Sequence, residues 1–96
     1  MFETADWSKR GDYIAKHNVT PAEANEAIAD PERLVIDPDP ASKSGRSIRT
    51  IGYSTTAQAV LTVIVLDYEG TTYGVNAWKA NARDQRRYND TEEVDR

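Results

Sequence analysis

The chain has 96 residues, no cysteine, a single histidine and a formal net charge of −4; that length predicts one folded domain over residues 1–96. Without cysteine there is no disulfide framework, thiolate metal site or cysteine nucleophile, and His17 alone builds neither a histidine-rich zinc site nor a two-histidine acid and base pair. No apolar stretch reaches the roughly 18 residues that a membrane crossing takes, and Met1 to Lys16 carries scattered charges, so a soluble cytoplasmic protein without a membrane partner is expected.

In chain order, Trp7, Tyr13 and Ile14 recur at near-helical spacing between Asp6 and His17, with Asp6 as N-cap, which predicts a first short helix weakened by Gly11. Thr20-Pro21-Ala22-Glu23 combines a capping hydroxyl, a proline at the first helical position and a carboxylate three residues after the cap. A second helix should run from there to about Ala29, because Asp30 precedes a proline. Arg33 to Asp37 predicts a short strand and PDPASKSG a mobile loop. Arg46 to Ser54 predicts another strand, with a bulge near Gly52 because Ile48 and Tyr53 fall on opposite parities. Ala59 to Tyr68 is β-branched and apolar on both parities, the pattern of a central strand covered on both faces. Glu69-Gly70 is a tight hairpin signal that returns Thr71 to Trp78 antiparallel. Asn81 to Tyr88 predicts a short C-terminal helix, and the acidic residues 89–96 a disordered tail. The predicted fold class is α+β: two short N-terminal helices, a three- to four-stranded antiparallel meander and a short C-terminal helix.

Net charge alone argues against a nucleic-acid partner, yet residues 1–40 sum to −5, residues 41–88 to +4 and residues 89–96 to −3. Affinity for phosphate depends on where cations sit, so the middle segment keeps open a nucleic-acid reading that the global charge would discard. RNA cleavage needs no metal or cofactor when the ribose 2′-hydroxyl is the nucleophile, since the protein then aligns it, moves protons and neutralises phosphate charge. Arginine offers a planar fork to phosphate oxygens, and lysine a movable charge that passes a proton when its pKa is lowered. Arg46, Arg49, Lys79, Arg83, Arg86 and Arg87 supply both kinds, with a solvated helix face as the bland alternative. His17 is the candidate proton carrier, or else a helix-end histidine favoured by the helix dipole. Asn76 is available to orient a phosphate, and Trp78 and Tyr88 to stack a base; satisfying an edge strand and packing on the sheet are the alternatives. Asp37 and Asp39 are expected in a solvated loop, because two loop acids make a poor cage for a hard cation.

The order and spacing of these segments resembles the BrnT family of type II toxins, small ribonucleases with a fold related to the RelE toxins. The resemblance spans most of the chain and rests on Trp7 followed by IAKHNV (Ile14 to Val19), PAEANEAIADP (Pro21 to Pro31), RTIGYS (Arg49 to Ser54), LTVIVLDYEG, and VNAWKANARDQRRY (Val75 to Tyr88). It implies RNA cleavage that halts translation, and neutralisation by an antitoxin that joins a ribbon-helix-helix DNA-binding module to a toxin-wrapping segment. His17, Arg49, Lys79, Asp84 and Tyr88 fall on positions where the family commonly has the same or a similar residue. The family usually has Gly where Asn18 stands, and Arg where Trp78 stands, a position that bears on activity.

The expectation is a metal-independent endoribonuclease in which Arg49, Lys79 and Arg83 stabilise the scissile phosphate and His17 or Lys79 moves the proton. Arg46, Asn76, Trp78, Arg87 and Tyr88 would be further RNA contacts. Two other classes remain open: a non-catalytic interaction protein that keeps the fold, and a poison of a protein target as in the related ParE toxins.

Overall fold

The computed structural model describes residues 4–94, with side chains as far as residue 90. Its elements are α1 (Gly11–Ala15), α2 (Pro21–Ala29), β1 (Leu34–Ile36), β2 (Ser47–Ser54), β3 (Ala59–Tyr68), β4 (Thr71–Lys79) and α3 (Ala82–Val94). The four strands form one antiparallel sheet in chain order, β1-β2-β3-β4. This is the α+β arrangement that the sequence predicts, with both N-terminal helices and the closing helix in place. No helix of the described residues is long and apolar enough to cross a membrane.

The all-apolar β3 is explained by the two layers around it. Leu61, Val63 and Val65 join Trp7, Ile14, Val19, Ala27, Ile28 and Ile48 in the main core under α1 and α2. On the opposite parity Thr62 faces α3, donating a hydrogen bond to Asp84. β2 divides in the same way: Gly52 lies against the Ala27 backbone of α2, while Arg49 reaches Asp84 of α3. Ile48 thus faces the main core while Tyr53, on the other parity, is exposed, so their opposite parities need no break in the strand. The bulge expected near Gly52 is absent, because β2 and β3 pair without a break from Ser47↔Leu66 to Ser54↔Ala59. The register shift lies between β3 and β4, at Ile64/Val65, leaving Val75 as the extra residue.

Helix starts follow the local signals only where nothing long-range competes. At α2 the Thr20 hydroxyl accepts from the Glu23 N–H, and the Glu23 carboxylate accepts from the Thr20 N–H at 2.9 Å, a complete capping box. At the N-terminus the expected helix from Asp6 shrinks to Gly11–Ala15, because Asp6 pairs with the edge of β4 instead. Its N–H donates to the Thr72 carbonyl, its own carbonyl accepts from the Gly74 N–H, and Trp7 then drops against the bare backbone of Gly74. The Trp7 indole N–H donates to Asn25 of α2 at 3.0 Å, which satisfies its polar edge inside the core. α3 runs to Val94, past the Tyr88 at which the sequence signals end it; the expected acidic tail, residues 89–96, lies partly outside the described residues.

Two carboxylates stitch the end of α2 to its neighbours. Glu26 accepts from the Ser54 hydroxyl (2.7 Å) and from the Thr56 hydroxyl and N–H (2.6 and 2.9 Å). Asp30 accepts from the Tyr53 N–H (2.8 Å), the Glu32 N–H (2.9 Å) and the Tyr88 hydroxyl (2.5 Å), joining α2, β2 and α3. Hydrogen bonds from Thr56 and Ser54 hold the Glu26 carboxyl down at about 2, against an ordinary 4.5. Burial pushes the Asp30 carboxyl up, but the bonds from Tyr88 and the two backbone N–H groups outweigh it and leave the pKa below 3.8.

Two predictions follow from this packing. Gly52→Ala places a methyl group inside the Ala27 carbonyl, so it should lower stability by about 1–3 kcal/mol, read as a reduced urea midpoint at unchanged slope. Because both carboxylates are depressed on folding, their stabilisation is present above 4.5 and 3.8 and is lost as the pH falls toward about 2. Urea midpoints should therefore drop across that window, and Glu26→Gln should flatten the drop.

Candidate functional site

The opposite sheet face meets α3 and the loop before β2 in a hollow of ≈190 Å³, lined by Asp39, Pro40, Arg49, Asn81, Arg83 and Arg87 among others. Arg49 is its centre. Its Nε donates to Asp39 Oδ1 at 2.9 Å and its Nη1 to Asp84 Oδ2 at 2.6 Å. Asp84 is fully buried; it also accepts from the Thr62 hydroxyl at 2.8 Å and from Arg87 Nη1 at 3.3 Å. Burial alone would make the Arg49 guanidinium easier to deprotonate, but the hydrogen bond and charge of Asp39 and the charge of Asp84 hold its pKa above the ordinary value. Arg49 is permanently cationic and shared between two carboxylates.

Local chemistry aims these groups. The Asn81 side chain accepts from the Asp84 N–H at 2.9 Å, capping α3 and fixing Asp84 in the first turn, where the positive end of the helix dipole favours a carboxylate. Asp39, expected in a solvated loop, is buried instead. Its N–H donates to the Ser47 carbonyl at 2.7 Å and its carboxylate accepts from the Ala41 N–H, extending the β1/β2 pairing into the loop. The cause is Arg49 across that pairing, which gives the buried carboxylate its counter-charge.

A second feature joins the hollow from the sheet edge. The half-buried Trp78 ring has the Arg49 guanidinium 5.8 Å from its centroid and the exposed His17 ring 6.5 Å away on an edge-on approach. His17 leaves α1 just before Asn18, whose φ of 60° lies in the left-handed region. That conformation favours glycine, and asparagine is among the side chains that tolerate it. Three residues, from the turn after α1 and from β2 and β4, thus meet although they are distant in sequence.

The other residues singled out from the sequence divide by position. Arg83 is exposed at the rim of the hollow and Arg87 is half-buried beside Asp84. Lys79 does not line the hollow: it pairs with Leu61 and so falls on the parity opposite to Trp78. Arg46 is exposed at the turn before β2, its N–H bonded to the Ser44 hydroxyl. Asn76 turns its side chain to the Ala77 N–H at 2.9 Å, satisfying the edge strand. Tyr88 is buried with its hydroxyl on Asp30, so its ring offers little face to a base. Sequence reasoning missed Asp39; the signal, weak by itself, was an acid flanked by two prolines that stiffen its loop.

Among the described residues no group of three or more His, Cys, Asp or Glu side chains is placed to hold a metal ion. No protein-family model, curated protein or solved structure matches the chain.

Arg49→Ala strands the buried Asp84 carboxylate without its main counter-charge. It should lower stability by about 3–5 kcal/mol, measured by urea unfolding. An unchanged midpoint would show that the ion pair does not hold α3 to the sheet.

Proposed function

We propose that this protein is a metal-independent endoribonuclease of the toxin type, as the resemblance to the BrnT family implies. It would act on RNA in the cytoplasm and be neutralised by a cognate antitoxin, a ribbon-helix-helix protein through which alone DNA is reached. One observation carries the reading: an exposed histidine, a half-buried tryptophan and a cationic hollow, drawn from four elements, lie side by side.

The chemistry fits those parts. His17 takes the proton from the 2′-hydroxyl as it attacks the adjacent phosphorus while water protonates the departing 5′-oxygen, or water takes the first proton and protonated His17 delivers the second; the products are a 2′,3′-cyclic phosphate and a 5′-hydroxyl. Arg83 at the rim is the open cation for the non-bridging oxygens, while Arg49, neutralised by two acids, contributes a weaker field and holds the hollow in shape. Trp78 offers part of a ring face to a base.

A second reading, a non-catalytic interaction protein, is favoured by the same ion pairs: the arginine best placed for a phosphate is already occupied. It requires antitoxin binding without RNA cleavage.

Incubating the full chain with single-stranded RNA in chelator separates the two. Fragments with cyclic-phosphate ends are expected, and His17→Ala should cut the rate by about 10²–10⁴ without unfolding the protein, because His17 is exposed. Full activity in His17→Ala would remove the proton-transfer role, and intact RNA would leave the interaction reading.

A further inference from the structure

The N-terminal third is acidic in sum, yet its cations gather against aromatic rings beside the site. The Lys9 ammonium lies 5.5 Å from the Tyr73 ring centre, the Arg10 guanidinium carbon 3.9 Å from that of Tyr13, and the Lys16 ammonium 5.6 Å from the same ring. Tyr13 meets His17 at 6.0 Å between ring centres, and His17 in turn meets Trp78. Beyond Arg10 lies an apolar hollow of ≈340 Å³, whose lining includes Lys9, Arg10, Tyr68 and Tyr73. Tyr13 and Tyr68 are 38% and 54% exposed, high values for large rings.

We infer that these side chains form one continuous track for single-stranded RNA, from the Tyr68 and Tyr73 hollow over Tyr13 and His17 to Trp78 and the Arg83 rim. The track rests on the RNA reading of the same site and extends it to the substrate class. A single strand presents flat bases and anionic phosphates in alternation, which interleaved rings and cations match; a duplex keeps its bases stacked inside and has none to offer the rings. Part of the track is preorganised. Arg10 Nε donates to the Val75 carbonyl at 2.9 Å, which fixes its guanidinium against the sheet edge and beneath Tyr13. Lys16 is exposed on a flexible stem and can leave the Tyr13 ring for a phosphate. The apolar hollow gives a terminal base a place out of water.

The test is fluorescence anisotropy of labelled polyuridylate with the full chain in chelator. Tyr13→Ala should weaken binding about fivefold or more, and Tyr13→Phe should restore it, since the ring face and not the hydroxyl does the stacking. Replacing Lys9 and Lys16 together by alanine should reduce the salt dependence by roughly 0.7 in slope for each cation removed. Wild-type affinity in Tyr13→Ala, or equally tight binding of duplex RNA or polyglutamate, overturns the track. Cleavage of a dinucleotide, which spans only the His17 end, reports on the ribonuclease reading separately. If dinucleotide cleavage persists while Tyr13→Ala binds polyuridylate normally, the track falls alone. If binding depends on Tyr13 but no RNA is cut, the track stands and the ribonuclease reading falls.

Discussion

The partly buried guanidinium of Arg49, held between the buried carboxylates of Asp39 and Asp84, is the interaction on which this face of the protein depends. α3 has little apolar surface to anchor it: of its described side chains beyond the first residue, Tyr88 is the single large apolar one. Hydrophobic burial alone would leave such a helix in water. It docks through polar groups instead, Asp84 on Arg49 and Thr62, and Tyr88 on Asp30. The loop before β2 is fastened to the same arginine through Asp39, so the two walls of the hollow share one post.

That dependence limits the chemistry. A guanidinium bonded to two carboxylates makes a poor first ligand for a phosphate, because approaching anions meet its partners' charge as well as its own. Exposed cations near it in the fold are Arg83 on one side and, past Trp78 and His17, Lys16 at the end of α1 on the other. Arg49 is thus better placed to shape the hollow and polarise it than to grip an anion directly. Trp78 sits between that polarised centre and His17, so under the proposed ribonuclease reading a flat base against one part of the ring would lie beside the histidine.

Charge along the chain proved a partial guide to charge in space. The basic middle segment does supply Arg49, Arg83 and Arg87, but Asp39 from the acidic first segment neutralises part of that charge. The same acidic segment contributes Lys9, Arg10 and Lys16 to the aromatic edge. Folding mixes the segments because the meander brings β4 back to α1 while α3 crosses to β1 and β2.

What the sequence by itself determined are features whose causes lie within a few residues. The Thr20, Pro21 and Glu23 cap starts α2, Glu69-Gly70 turns the β3/β4 hairpin with both residues at positive φ, and the doubly apolar β3 announces two covered faces. The α+β meander follows from these local signals in order. Tertiary structure decided whatever required distant partners: Trp7 seated on Gly74 at the cost of a longer first helix, the bulge at β4 rather than at Gly52, and Tyr88 turned inward to Asp30. The site belongs to that second group. Asp39 and Asp84 reach Arg49 from 10 and 35 residues away, and a buried charge takes its partner from whichever acid the packing delivers, which no local pattern of residues encodes.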